Sequence, residues 1–217
     1  MERRRQTCRG TVLALVLGLL AAACGGSGDG GKGGNATVTR GGVFRSATTD
    51  FSFSNGFDPT GEYSARGFNL YAPLLRTLVG YRRIGGPPGN ELQPDLATAL
   101  PEPTDGGLTY TFKLRPGVKW APPLNRAVTS KDVAYAFQRI NTAPLVAQYG
   151  FYYFGVVKGM DGKAKSADQK ISGIETPDDS TIVFRLEEPT GDFLYRLTMT
   201  AAGADPRGGR HVLQEGR

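Results

Sequence analysis

The residues of this chain that could do chemistry are few and unevenly placed. Its two cysteines, Cys8 and Cys24, stand before residue 25, and its single histidine is His211 near the other end. Between Gly25 and Thr200 there is neither Cys nor His. That removes Cys/His zinc sites, Ser-His-Asp triads and Cys-His dyads from the body of the chain, because each needs an imidazole or a thiolate. Acidic pairs do occur, Asp178-Asp179 and Glu187-Glu188. Neighbours on a strand point to opposite faces, whereas glycoside hydrolysis needs two carboxylates converging on one bond. Turn chemistry accounts for Asp178-Asp179. No catalytic residue, no metal site and no cofactor is therefore expected. What remains is binding chemistry. Tyr149, Tyr152 and Tyr153 crowd together with Phe151 and Phe154, and a tyrosine offers a flat face with a hydroxyl at its rim. The competing role for each is packing, and Trp120 reads as a core anchor.

Cys24 is a separate matter. Arg3, Arg4, Arg5 and Arg9 precede an apolar run from Thr11 to Leu20, and Ala21-Ala22-Ala23 then leads into Cys24. Charged, apolar and small-residue parts in that order are the grammar of a secretory leader. The apolar run falls short of the ~20 residues needed to span a bilayer. A cysteine directly after small residues resembles a bacterial lipobox, whose thiol becomes diacylglycerol-modified and then the new N-terminus. The usual leucine three places before the cysteine is here Ala21, with Leu20 one place earlier. We expect a lipoprotein signal peptide over 1–24, with Cys24 lipidated, and a flexible tether over 25–40. The tether holds a decoy: Gly26 to Lys32 matches the G-x-x-x-x-G-K spacing of a phosphate cradle. Gly33 stands where a Ser or Thr must meet magnesium, and no strand precedes it. The formal net charge is +6, much of it in the leader arginines. The dispersed remainder gives no clustered footprint for nucleic acid.

The elements that must position the tyrosines are legible in places. Tyr110, Phe112 and Leu114 alternate with Thr111, Lys113 and Arg115, the period of a half-buried strand. Arg115-Pro116-Gly117 breaks it. Thr129-Ser130-Lys131-Asp132 then has the spacing of a capping box, and Val133, Phe137 and Ile140 follow on one helical face. Ile182, Phe184 and Leu186 alternate in a second strand able to pair with Thr109–Leu114. A helix is predicted over 69–79, with Leu70, Leu74, Leu75 and Leu78 toward the core and Pro73 in its first turn. A first strand is predicted over 42–46, followed by a loop holding Phe57-Asp58-Pro59.

The wording of these segments goes further than their period. The runs GLTYTFKLRPGVKW (107–120), VTSKDVAYAFQR (128–139) and DDSTIVFRLEEP (178–189) closely resemble the signature segments of the family 5 extracellular solute-binding proteins. Leu92 to Ala97 resembles that family's P-x-L-A segment, and a strand followed by an Asp-Pro loop is its usual opening. One departure is Ala121-Pro122-Pro123-Leu124-Asn125, where the family usually turns on Asp-Gly just after the aromatic. The resemblance covers about residues 41 to 200. It implies an α/β fold: the N-terminal lobe portion of a two-lobe periplasmic-binding-protein-like fold, a mixed sheet with flanking helices, incomplete.

The resemblance also implies a role without catalysis. Such proteins are the peptide- and nickel-binding subunits of ABC importers; they hold a solute between two lobes and pass it to a permease driven by an ATPase. Oligopeptide is the expected ligand, with dipeptide, nickel or another solute left open. The cleft residues implied are Glu62 and Tyr63, in the loop after Asp58-Pro59, and Tyr149, Tyr152 and Tyr153. The chain is expected to act as an extracytoplasmic monomer held to the cell membrane by a lipid anchor. Family members run more than twice this length, so the chain reads as truncated, with the match fading after Thr200. Residues 201–217 turn rich in Gly, Arg and Ala without an apolar period; they are expected to be a disordered tail, a possible frameshift product, with His211 a solvated bystander. Two other classes compete: a surface lipoprotein without a transport role, and a secreted hydrolase of unrecognised chemistry.

Overall fold

The computed structural model describes residues 45, 57–82, 84–145 and 147–206. The leader with Cys24, the tether, the predicted strand over 42–46 apart from Arg45, and His211 lie outside the described residues. In chain order the main elements are helix α1 (Ala65–Leu74), strands β1 (Val79–Tyr81), β2 (Leu92–Pro94) and β3 (Thr109–Lys113), and helix α2 (Ser130–Ile140). Strands β4 (Ile174–Asp178) and β5 (Thr181–Arg185) follow, then a short helix α3 (Phe193–Arg196). Short 3-10 turns link them, among them Pro59–Gly61, Gly150–Tyr152 and Thr200–Ala202. The class is α/β, as expected.

Strands β1 and β2 form a two-stranded ribbon, and β3, β5 and β4 a three-stranded sheet in that order. These strands pair antiparallel, and the Thr142–Ala164 bridge is parallel. The predicted partnership of the two alternating segments is present, with Tyr110 opposite Phe184 and Phe112 opposite Ile182. Being central, β5 buries Thr181, Ile182, Val183 and Phe184 in succession, whereas β3 keeps Thr111 and Lys113 in solvent. The β4–β5 turn confirms the turn chemistry expected of Asp178. Its carboxylate accepts from the Ser180 backbone N–H at 2.8 Å, from Ser180 Oγ at 2.7 Å and from Thr181 Oγ1 at 2.7 Å. Those hydrogen bonds, the Thr181 hydroxyl foremost, pull its pKa down to about 2. Asp179 points instead to Lys131 at 2.9 Å. These carboxylates are used up in folding.

Helix α2 crosses β4 and β5. Its predicted apolar face is buried: Val133, Phe137 and Ile140 all lie in the core. Phe137 meets Phe184 edge-on at 5.0 Å between ring centroids and Tyr153 at 5.3 Å, the geometry that ring quadrupoles favour. At the helix start the Asp132 carboxylate accepts the Thr129 backbone N–H at 2.8 Å, the reach-back that the capping-box spacing predicts.

Two expectations are corrected here. Helix α1 runs over Ala65–Leu74, not 69–79. Ser64 caps it, its Oγ accepting the Gly67 N–H at 3.0 Å. Gly67 and Tyr71 are its buried residues, and Pro73 falls in the last turn. Leu74 is exposed, and Leu78 belongs to the core through the chain leading into β1. The leucine spacing fitted a helical period only by running a helix end into a strand start. The second correction concerns the chain beyond Thr200. Ala201, Ala202 and Ala204 are buried, the Ala204 N–H donates to the Arg76 carbonyl at 3.1 Å, and the Asp205 N–H donates to the Asp132 carbonyl at 3.1 Å. Small residues are what a backbone passing this close to α2 requires. The packed region therefore extends to Pro206; residues 207–217 lie outside the described residues.

Candidate functional site

The loop between Phe57 and Ser64 is held by side chains at three points. Asp58 caps the 3-10 turn Pro59–Gly61, its Oδ1 accepting the Thr60 N–H at 3.0 Å. The same carboxylate takes both of its oxygens to Arg139 Nη2, each at 2.7 Å. Glu62 is buried; its Oε1 accepts the backbone N–H groups of Tyr63 at 2.9 Å and Ser64 at 2.7 Å. Gly67 allows this, since a Cβ there would sit 2.4 Å from Glu62 Cδ. Beneath the loop, burial pushes the Tyr71 phenol up to about 12, with the Glu62 and Asp58 charges adding to it, so it stays neutral.

Tyr63 emerges from this loop 58% exposed and stacks on Tyr149, ring centroids 5.2 Å apart and planes 20° from parallel. Tyr149 in turn stacks on Tyr152 at 5.8 Å and meets Phe68 at 5.5 Å. Burial raises the Tyr149 pKa, with Tyr63 and Tyr152 contributing. Phe151, 61% exposed, lies 4.5 Å from Tyr152. Arg196 fixes the far side. Its guanidinium carbon sits 5.8 Å from the Tyr152 ring centroid, and its Nη1 donates to the Tyr152 carbonyl at 2.7 Å. The result is a shelf: an aromatic stack whose exposed members are Tyr63 and Phe151, with Tyr149 and Tyr152 half-buried between them.

Of the five expected cleft residues, Tyr63, Tyr149 and Tyr152 come together on this shelf. The other two sit inside. Glu62 is buried with its Oε1 on the backbone of its own loop, and Tyr153 is fully buried, its hydroxyl donating to the Arg196 carbonyl at 2.7 Å. Burial raises the Tyr153 pKa strongly. The residues missed in the sequence are Phe68, Phe151 and Arg196, which share the shelf, and Arg139 with Asp205, which steady the loop beside it. The signal for the last pair was the two Asp-Pro dipeptides, Asp58-Pro59 and Asp205-Pro206. Both carboxylates meet Arg139.

Hollows lined by the described residues lie apart from the stacked tyrosines. A groove of about 680 Å³ runs beside the β1–β2 ribbon, with Arg76, Tyr81, Arg82, Gln93, Asp95 and Thr200 on its walls. Its Arg76 and Asp95 are paired with each other, Nε to Oδ1 at 2.8 Å. An apolar hollow of about 310 Å³ borders Phe57, Tyr71, Leu74, Trp120, Pro123 and Arg139. The departing loop forms part of its wall, with a cis peptide between Pro122 and Pro123. Neither is lined by Tyr63, Tyr149 or Tyr152. The shelf can stack, hydrogen-bond and exclude water from one side of a ligand; it offers no nucleophile beside a base.

A family model described as bacterial extracellular solute-binding proteins, family 5 Middle, matches residues 91–210. The match passes Thr200, where the family wording was expected to fade. The dipeptide-binding protein of Escherichia coli (strain K12) is 33% identical over 138 residues, covering 60% of this chain and 23% of that protein. Among solved structures, the clavulanic acid biosynthesis oligopeptide binding protein 2 aligns with a TM-score of 0.64 and 32% identity, over 70% of this chain and 28% of that one. Haemophilus influenzae OppA in complex with RPPGFSPFR aligns with a TM-score of 0.62 and 27% identity, over 75% and 30%. The chain thus spans less than a third of the length of each of these relatives.

Proposed function

The chain belongs to the bacterial extracellular solute-binding proteins of family 5, and from that premise we propose that it supplies one wall of a peptide-binding cleft. The peptide is captured outside the membrane and delivered to the permease and ATPase of an ABC importer, with no covalent step. The observation that carries this reading is the stack of Tyr63, Tyr149 and Tyr152. An aromatic stack with the Tyr63 and Phe151 rings exposed at its surface suits an extended peptide, whose side chains pack on the rings while its backbone finds hydrogen-bond partners. Glu62 and Tyr153 act from inside, holding the loop and the 3-10 turn that present the shelf. Relatives named for binding dipeptides and oligopeptides support the peptide as ligand.

Photo-crosslinking tests it without demanding tight binding. Short peptides bearing a benzophenone side chain should label residues 57–64 and 149–152 of the full chain. Labelling confined to the Arg76–Asp95 groove would overturn the reading. In the same proposal Cys24 carries a diacylglycerol anchor, two acyl chains being what stable retention takes where one chain binds only marginally. Expressed in a bacterium, the Cys24→Ala chain should leave the membrane fraction. Unchanged retention would refute the anchor.

A further inference from the structure

Arg139 is the most deeply buried cation of the described residues, its side chain 2% exposed. It stands near the end of α2, on a helix whose opposite end is fixed by Asp132. Two carboxylates meet it from far along the chain: Asp58, 81 residues before it, and Asp205, 66 residues after it. Both are mostly buried as well. A guanidinium donates through a planar fork of fixed geometry, so the direction of its bonds dictates where each carboxylate's backbone can run. We propose that Arg139 is a positioning residue for the ligand-facing shelf: through Asp58 it sets where Tyr63 meets Tyr149.

The chain of contacts is short and continuous. Arg139 Nη2 holds both oxygens of Asp58. Asp58 Oδ1 holds the Thr60 N–H, which starts the turn Pro59–Gly61. The turn delivers Glu62 into its niche beside Gly67, and the next residue is Tyr63, stacked on Tyr149. Asp205, on the other arm of the guanidinium, balances the cation and ties in the segment after Thr200–Ala202. With Arg139 gone, two carboxylates would face each other in a poorly solvated spot, and like charges held that way force one apart or protonated. With Asp58 uncharged, its charge-assisted bonds to Arg139 weaken and the turn Pro59–Gly61 can shift. Glu62 shifts with the turn, and because its Oε1 holds the Tyr63 N–H the Tyr63 ring is carried along. That this matters for a peptide rests on the cleft reading above; that it matters for the position of Tyr63 does not.

The experiment uses the full chain labelled with 3-fluorotyrosine, its 19F signals assigned by Tyr63→Phe and Tyr149→Phe. Stacked rings shift each other's resonances. In Asp58→Asn the Tyr63 and Tyr149 signals should lose that mutual shift while Tyr110 and Tyr153, in the core, stay in place. Arg139→Met should do the same if it folds, and Arg139→Lys should restore part of the shift. Arg126→Met, which removes the partner of Asp132 at the other helix end, is the control: it should leave the Tyr63 signal where it is. An unmoved Tyr63 signal in folded Asp58→Asn overturns the proposal, and so does an equal displacement in Arg126→Met, which would mean general loosening. Peptide labelling separates the two claims. Displaced signals with a several-fold fall in labelling of residues 57–64 support both. Displaced signals with unchanged labelling keep the positioning role and refute the Tyr63–Tyr149 stack as the peptide's contact.

Discussion

Helix α2 ends in two arginine–carboxylate sites built from the same groups in opposite ways. At its start the carboxylate is buried and the cation is not. Asp132 accepts from Arg126 Nη1 at 2.7 Å and Nη2 at 2.6 Å and from Trp120 Nε1 at 3.3 Å, while the Arg126 side chain is 39% exposed. Near its end the cation is buried and collects two carboxylates, Asp58 and Asp205. The first site is local: Arg126 and Thr129 lie six and three residues from Asp132. The second joins segments from both ends of the described chain. A local site fixes one helix; a long-range site fixes the arrangement of loops around it. Removing the second should therefore cost more and reach farther.

The largest effect expected is that of Arg139→Met. Breaking a buried ion pair by deleting one partner leaves an uncompensated charge and costs about 3–5 kcal/mol; here two carboxylates are left behind. Urea unfolding of the full chain should show a midpoint lowered accordingly, or no cooperative transition at all. A loss under about 1 kcal/mol, the range of a surface pair, would erase the distinction between the two helix ends.

The intermediate effect belongs to Asp132→Ala, about 2 kcal/mol, the upper range for losing an N-cap interaction. Its pH dependence gives the sharper test. Burial on its own would raise the Asp132 pKa, but the bonds from Arg126, Thr129 and Trp120 outweigh it and hold the carboxyl below its ordinary value. A carboxylate whose pKa is depressed on folding binds protons more readily in the unfolded chain. Its stabilisation is thus complete above the unfolded value of about 4 and is lost as pH falls through the lower folded value. The stability difference between the parent chain and Asp132→Asn should be flat from neutral pH down to about pH 4 and shrink below it. A difference that grows on acidification would mean the site has been misjudged.

The same contrast explains what could be read from the sequence. The capping box, the α2 face and the β3–β5 pairing were legible because each is written in a period or a spacing of a few residues. Helix α1 was misplaced because its true signals are a Ser64 cap and the pair Gly67 and Tyr71, weaker on paper than four leucines. The segment after Thr200 looked structureless because alanine and glycine show no apolar stripe, yet small side chains are what α2 and the Arg76 backbone admit there. Of the shelf, Tyr149 and Tyr152 were legible as an aromatic cluster. Tyr153 could not be separated from them, since which ring turns inward depends on the 3-10 turn Gly150–Tyr152. Arg139 was harder to read: the two Asp-Pro dipeptides mark its partners, but these lie 81 and 66 residues away, and nothing in the sequence around Arg139 says that they meet there.

The smallest effect expected is that of Arg126→Met, and it completes the contrast. Arg126 is the partner that water already reaches, so most of its Coulombic gain is screened. Its removal also leaves Asp132 Oδ2 three donors, the Thr129 N–H and hydroxyl and the Trp120 indole, so the buried carboxylate keeps partners on one oxygen and loses the Arg126 Nη2 donor on the other. The loss should be about 1 kcal/mol or less and should diminish further in high salt, since the Debye length falls to about 3 Å at 1 M. Arg139→Met should keep its full effect at the same ionic strength, because salt does not enter a site where the guanidinium is closed off from solvent. Urea midpoints of both variants at low and high salt provide the measurement. If the two arginines lose the same fraction of their effect in salt, burial of the cation is not what separates the two ends of α2, and the long-range site would have to owe its strength to the number of its partners alone.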